Sequence, residues 1–217
     1  MKLLTYGDDP TQIKYLRSEY INLGLNKKYI DTFSKFESFK EKIDDFNPDD
    51  VLIFVDGYDV VQMKTDLNNF IIKFKEFDAD LVLSTETYCW PSPWMAKLFP
   101  PSPTKYRFPN CGTFVGKASA IKEMLYWDEY RQAFDDQGLV HDFFLRQTNL
   151  KIKLDYTCEL FNCATFVPWS EIEKTKAWFV HFNGKSHTTA TGSSIMQDLF
   201  DRKPIGHIPQ CHQCYPD

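Results

Sequence analysis

Residues 51–61 read VLIFVDGYDVV, and the rest of the chain is organised around them. Val51, Leu52, Ile53, Phe54 and Val55 make a short continuous apolar run, the pattern of a strand buried on both faces inside an α/β sheet. The run stops at two carboxylates three positions apart, Asp56 and Asp59, with Gly57 and Tyr58 between them. Open α/β sheets collect ligands at the carboxyl ends of their strands, so these acids are expected to face a crevice. Two carboxylates this close repel each other and lose hydration, a cost that a shared divalent cation offsets. An isolated D-x-x-D is more often a surface Asp-Gly turn. The buried strand in front of it reverses that reading.

The 217 residues suit one α/β domain, long enough to bury roughly 70% of the unfolded surface. A net charge of −5 leaves no basic footprint for nucleic acid or an anionic membrane. An anionic substrate would therefore need a metal or individual lysines. No segment approaches the ~18 apolar residues of a membrane span, and MKLLTYGDD is too short for the core of a signal peptide. The expectation is a soluble chain without a signal peptide. Six cysteines do not make a disulfide scaffold at this length, and Cys89, Cys111, Cys158 and Cys163 read as buried thiols.

In chain order, Lys2 to Tyr6 reads as a first strand, and Gly7-Asp8-Asp9-Pro10 as a turn that caps a helix over Thr11 to Leu23. A second helix is predicted over Thr32 to Phe46, with Phe33, Phe36, Phe39 and Ile43 on one face and Lys35 elsewhere. Asp66 to Phe77 reads as a third helix, and Leu81 onward as a strand ending at Glu86. Cys89 to Pro109 holds six prolines and two tryptophans, too few free amides for a helix or central strand, and reads as an ordered flap over the site. A turn and strand over Phe108 to Gly116, helices over Ala118 to Trp127 and Leu139 to Gln147, and a strand over Ile152 to Leu154 complete an alternating pattern.

These residues together resemble one known family. A strand ending in Asp56-Gly57-Tyr58-Asp59, a strand ending at Glu86, Cys89-Trp90-Pro91, Asn110-x-Gly112-x-Phe114-x-Gly116, Asp135-Asp136-Gln137, Leu154-Asp155 and Val180-His181-x-Asn183-Gly184 fall in order along the chain. The pattern looks like the glycosyltransferase domain of the procollagen lysyl hydroxylase family. That resemblance implies a GT-A type, Rossmann-like nucleotide-sugar fold, with a mixed, mostly parallel sheet flanked by helices over residues 1–204 and a tail over 205–217. It implies Mn²⁺, a UDP-glucose or UDP-galactose donor, and a hydroxylysine-linked acceptor in collagen or a collagen-like protein. Glucosyl transfer to galactosyl-hydroxylysine is the preferred form.

Carried over residue by residue, the resemblance makes Asp56, Asp59 and His181 the metal ligands. Two hard oxygens and one imidazole, with positions left for diphosphate oxygens, suit Mn²⁺ better than a closed zinc site. Tyr58 and Tyr29 would flank uracil and ribose, Tyr29 standing where the family has tryptophan. Lys35, Asn183, Gly184 and Lys185 fall at the diphosphate, where Gly184 admits close backbone approach and Lys185 supplies a point charge. Glu86 and Asn110 line the donor site, and Trp90 is placed to stack on a sugar. Asp155 reads either as a helix cap or as a site residue. Asp135 and Asp136 match the family's acceptor-side acids, with Asp142 an alternative occupant of that role. Inverting transfer would need one of the three as base, whereas retaining transfer would not.

Cys211-His212-Gln213-Cys214, beside His207, could hold zinc, form a redox pair or close a small disulfide. The resemblance favours the disulfide. Family members act in the secretory pathway. The 217 residues hold no oxygenase half, so hydroxylation is expected from a separate lysyl hydroxylase, and a homodimer stays open. The competing classes are a non-catalytic UDP-sugar or collagen-binding module and a metal-dependent phosphohydrolase, though the latter usually carries D-x-D.

Overall fold

A computed structural model describes residues 1–127, 135–184 and 190–201. The main sheet has six strands in the order β2-β1-β3-β6-β5-β7, namely Ile21–Asn22, Lys2–Tyr6, Val51–Asp56, Phe108–Lys117, Leu81–Glu86 and Ile152–Leu154. Parallel pairing joins β2 to β1, β1 to β3 and β5 to β7, while β6 runs antiparallel to both of its neighbours. The expected mixed, mostly parallel α/β fold is therefore present. As its apolar run requires, β3 is central, and Leu52 to Val55 are fully buried.

Helices cover both faces. On one side α1 (Ser34–Lys40) and α3 (Ala118–Leu125) pack against β3 and β6, where Phe39, Phe54 and Phe114 stack in sequence. On the other, α2 (Leu67–Glu76) sends Phe70 and Phe74 against the sheet. Asp66, read from sequence as the start of this helix, caps it by accepting from Asn69 N–H. Near the cleft α4 (Asp136–Arg146) leans on β6.

A second sheet, β4-β9-β8 (Val60–Gln62, Phe179–His181 and Phe161–Cys163), is absent from the sequence prediction. Three-residue strands are too short to show a period of two. Short α5 (Trp169–Ile172) lies beside this sheet, and α6 (Ala190–Asp201) packs Met196 and Leu199 on it.

Two predicted helices are corrected. Thr11 to Leu23 holds only the 3₁₀ turn Pro10–Gln12, capped by Asp9 as the turn chemistry requires, and the strand Ile21–Asn22. The buried Gln62 explains why no helix follows: its Oε1 accepts the N–H groups of Arg17 and Ser18, and Tyr15 O accepts the Gln62 N–H. The segment's backbone is thus satisfied by β4 and not by itself. The helix over 32–46 is split into α1 and a 3₁₀ turn at Ile43–Asp45. The proline-rich segment is ordered, as expected, but it is anchored more firmly than a flap. Cys89, Met95, Phe99 and Phe108 form a small core with Phe144 and Leu145 of the α4 region, and Arg107 donates to the Phe99 and Pro100 carbonyls.

Candidate active site

The site forms where the carboxyl end of β3 meets the second sheet. Asp56 is the last residue of β3, and the turn Gly57–Asp59 leads directly into β4. In β4, Val60 pairs with His181 of β9, and Phe182 N–H donates to Asp59 O at 2.7 Å. This pairing brings a histidine from near the chain's end onto acids from its middle. Ligand atoms of Asp56, Asp59 and His181 lie within 4.8 Å of one another. His181 Nε2 is 3.6 Å from Asp56 Oδ2 and 3.4 Å from Asp59 Oδ2.

A bulge in β6 completes the pocket. The β5–β6 register shifts between Leu83, opposite Phe114, and Ser84, opposite Asn110, so Asn110, Cys111 and Gly112 sit at the irregularity and line the cleft. Asn110 Oδ1 faces His181 Nδ1 at 2.9 Å, which leaves Nε2 for the acids. A Cβ on Gly112 would fall 2.1 Å from His181 Cε1 and 2.5 Å from Asp56 Oδ2. Only glycine leaves room for both side chains. Burial alone would lower the His181 pKa, but Asp59 and Asp56 together outweigh it and raise it. Asp56 is raised by burial against the opposing pull of Lys35.

Lys35 is not a solvated helix lysine. It is buried, its Nζ lies 3.0 Å from Asp56 Oδ1 and 2.9 Å from Asp136 Oδ2, and it tethers β3 to the start of α4. Burial disfavours its charge, but Asp136 and Asp56 more than compensate and hold its pKa well above the ordinary value. Asp135 caps α4 by accepting the Gln137 N–H at 2.8 Å, and burial with Asp136 alongside pushes its carboxyl up to about 6.

Glu86, at the end of β5, is held by three amides. Its oxygens accept from Asn110 Nδ2 at 3.2 Å, Asn183 Nδ2 at 2.8 Å and Gln137 Nε2. Burial still pushes its pKa up to about 7. Thr165 ties Asn183 in place, its N–H and hydroxyl donating to Asn183 Oδ1 and O.

The cleft has a volume of about 1000 Å³ and gathers Tyr29, Lys35, Asp56, Tyr58, Asp59, Glu86, Trp90, Asn110, Asp135, Asp136, His181, Asn183 and Gly184. Tyr29 and Trp90 are about half exposed, and Gly184 takes φ +67°. Asp142 is the exception among the described candidates: it faces away from the cleft lining and accepts Trp127 Nε1 at 2.8 Å, with Arg146 3.6 Å away. Lys185 and the tail with Cys211 and Cys214 lie outside the described residues. Cys89, Cys111, Cys158 and Cys163 are free and buried. Asp155, left between cap and site on sequence, accepts the N–H groups of Glu159, Leu160 and Phe161 and closes the turn before β8. Sequence reading missed the cleft roles of Gln137 and Asp8, although both stand inside stretches it singled out.

A six-stranded sheet with one reversed strand, two acids after its central strand and a histidine returned to them from a second sheet make up an α/β fold whose solved neighbours are GT-A glycosyltransferases. The fold matches the crystal structure of a glycosyltransferase involved in the glycosylation of the major capsid of PBCV-1, with TM-score 0.55 and 13% identity over 91% of this chain and 97% of that one. It also matches the galactosyltransferase LgtC in complex with donor and acceptor sugar analogs, with TM-score 0.51 and 11% identity over 92% and 95%. At such identities the likeness concerns the fold.

The family is given by sequence: the family model described as PLOD GT domain matches residues 19–189, and the chain belongs to that family. It is 31% identical over 182 residues to a procollagen-lysine,2-oxoglutarate 5-dioxygenase of Drosophila melanogaster, covering 74% of this chain and 25% of that protein. It is 30% identical over 116 residues to the human multifunctional procollagen lysine hydroxylase and glycosyltransferase LH3, covering 52% and 16%. The chain thus spans a quarter or less of the length of these relatives. No helix among the described residues is long and apolar enough to cross a membrane.

Proposed function

We propose that this chain is a Mn²⁺-dependent glycosyltransferase that moves glucose or galactose from a UDP-sugar to a hydroxylysine-linked acceptor of a collagen-like protein, with glucosyl transfer to galactosyl-hydroxylysine preferred. The observation that carries the reading is the convergence of Asp56, Asp59 and His181 on one point. The donor set fits the metal: two carboxylates and an imidazole oriented by Asn110, in a pocket kept open by Gly112. A divalent ion there would supply charge to stabilise the departing diphosphate.

The remaining tasks fall to the chain's own residues. Lys35, already between Asp56 and Asp136, places a cation beside the diphosphate position. Asn183 and Gly184 offer polar and close backbone contact, and the same role is assigned to Lys185. Tyr58 and Tyr29 flank the nucleoside. Glu86, Asn110 and Gln137 form a hydrogen-bonded floor under the transferred sugar. On the acceptor side stand Trp90, as a stacking face, and Asp135. Asp136 is occupied by Lys35, so Asp135 is the carboxylate left to orient the incoming hydroxyl, and its elevated pKa suits proton acceptance if the product is inverted. Asp142, bonded to Trp127, takes no part in this scheme. A lysyl hydroxylase activity would supply the acceptor.

The test is UDP release from UDP-glucose, UDP-galactose and UDP-N-acetylglucosamine, with and without Mn²⁺, on deglycosylated and galactosylated collagen peptides. Mn²⁺-dependent release from one of the first two is expected, lost in Asp59→Ala and kept in Asp80→Ala, whose side chain is engaged with Lys117 away from the cleft. Equal activity of the two variants would overturn the site. Binding without turnover would leave a non-catalytic module, and phosphate release from phosphomonoesters would favour a phosphohydrolase.

A further inference from the structure

Three aromatic rings stand together along the cleft, and two of them have no part in this scheme. Tyr88, Trp90 and Phe166 all line the cavity, yet they are 44%, 55% and 79% exposed, whereas Glu86 in the same lining is buried. Apolar surface gathered in this way at a cleft marks a place that a partner covers.

The loops that carry the two unassigned rings are fixed. Tyr88 stands two residues past the end of β5, and Phe166 three residues past the end of β8. Cys163, the last residue of β8, pairs with His181, so the Phe166 turn and the metal-site histidine hang from one strand pair. Val167 N–H donates to Ala164 O at 3.1 Å across the turn, and Thr165 is bonded to Asn183. Thr87 Oγ1 donates to Thr165 O at 3.4 Å and ties one loop to the other. The Tyr88 and Phe166 rings meet edge to face, with centroids 6.0 Å apart and planes at 71°. Phe166 takes φ +61°, a left-handed backbone that disfavours a bulky residue and suits glycine. Such backbone persists only where the surrounding structure imposes it, and it clusters at ligand clamps.

Their place in the sheet says which end of the cleft they serve. In the order β1-β3-β6-β5, β5 lies three strands from β1, roughly 14 Å at the usual spacing. Tyr29, assigned to the nucleoside, is bonded to Asp8 just past β1, so Tyr88 and Phe166 stand at the other end, beside Trp90, whose N–H donates to Tyr88 O at 3.1 Å. An edge-to-face pair makes a corner, not the flat platform on which a base or a sugar ring stacks. Resting on the glycosyl-transfer reading above, we propose that Tyr88 and Phe166 form a notch that seats a proline ring of the acceptor polypeptide, close to the residue that carries the sugar. A collagen-like strand is a polyproline II helix, and aromatic-lined grooves recognise such chains by their proline rings. One turn of that helix advances about 9 Å, so a proline within a turn of the modified residue spans the distance from the cleft to the notch.

The experiment is fluorescence anisotropy of two labelled peptides with the 217-residue chain, Mn²⁺ and UDP. One peptide carries galactosyl-hydroxylysine among Gly-Pro-Xaa triplets, and the other has its prolines changed to alanine. The wild type is expected to bind the proline peptide about tenfold more tightly, the gap should fall below about threefold in Phe166→Gly, and Phe166→Tyr should keep it. Comparing variants separates the ring contact from the stiffness of the peptide itself. Glycine suits φ +61°, so Phe166→Gly should melt no lower than the parent. Ile72→Ala, which trims an exposed apolar residue of α2 outside the cleft lining, is the control and should leave the gap unchanged. Equal binding of the two peptides by the wild type, binding of neither, or a gap that survives in Phe166→Gly overturns the proposal. So does an equal loss, in Phe166→Gly, of competition by galactosyl-hydroxylysine alone, since the pair would then contact the sugar. Calorimetric titration with UDP separates the two readings: if the wild type binds no UDP, the donor reading fails and takes this inference with it; if UDP binds and the peptides bind alike, only this inference fails.

Discussion

His181 Nδ1 faces Asn110 Oδ1 at 2.9 Å, and Asn110 in turn donates its Nδ2 to Glu86 and Gln137. The amide's two donations fix which of its atoms meets the ring, so Nδ1 carries a proton and Nε2 is the ring nitrogen turned towards Asp56 and Asp59, where it would hold a metal. Residues that orient a ligating histidine in this way typically contribute 10–100-fold to metal affinity. Asn110→Leu is therefore expected to weaken Mn²⁺ binding by roughly that factor. Electron paramagnetic resonance of free Mn²⁺ during titration measures it, and unchanged affinity would refute the orienting role.

Gly112→Ala should be nearly as damaging as loss of a ligand. The added methyl meets His181 Cε1 at 2.1 Å and Asp56 Oδ2 at 2.5 Å, and neither belongs to a free-swinging side chain. We expect Mn²⁺ affinity to drop by more than about tenfold and the fold to lose about 1–3 kcal/mol. The same titration and urea unfolding read the two effects.

Asp155→Ala tests a carboxylate that sequence left between structure and site. Removing it strands the buried N–H groups of Leu160 and Phe161 as well as that of Glu159, for an expected loss of about 3 kcal/mol or more. Asp155→Asn keeps one accepting oxygen and should lose less. Both should bind UDP as the parent does whenever they are folded, because Asp155 lies outside the cleft lining.

Stability should also depend on pH through His141. Its ring is buried against Phe99, Nε2 donates to Pro109 O at 2.9 Å, and burial pulls its pKa from 6.5 down to about 4. The unfolded chain takes up this proton near 6.5 and the folded chain does not, so the contribution is complete above pH 6.5 and is lost as pH falls towards 4. The shift corresponds to roughly 3 kcal/mol. Glu86, raised from 4.5 to about 7, acts with the opposite sign and gains stability as pH falls through 7. The two must be separated by difference: His141→Gln should melt at a temperature less sensitive to acid between pH 7 and pH 4.5 than the parent. Parallel melting curves would count against it.

The sequence made β3 and its acids legible because an apolar run and a pair of charges need no partner to be recognised. The same holds for Glu86 at the end of β5 and for the turn at Gly7-Asp8-Asp9-Pro10. What escaped reading depends on contacts between distant residues. Ile13, Leu16 and Tyr20 have helical spacing, yet the side chain of Gln62, more than forty positions on, satisfies that backbone. Lys35 could be placed at the diphosphate only through the family resemblance, because its two partners, Asp56 and Asp136, come from other elements. Asp8 follows a strand by two residues, but a lone Gly-Asp-Asp-Pro reads as a turn until the Tyr58 hydroxyl is seen bonded to it.

The β4–β9 pairing has a consequence for how the protein is made. A growing chain carries Asp56 and Asp59 long before it carries His181, and only the arrival of Phe179–His181 alongside Val60–Gln62 gives those acids their third companion. Any product cut short of that point would keep the strands of the main sheet yet lack the third member of the cluster, so synthesis itself acts as a safety catch: the three side chains cannot meet until residue 181 has been made.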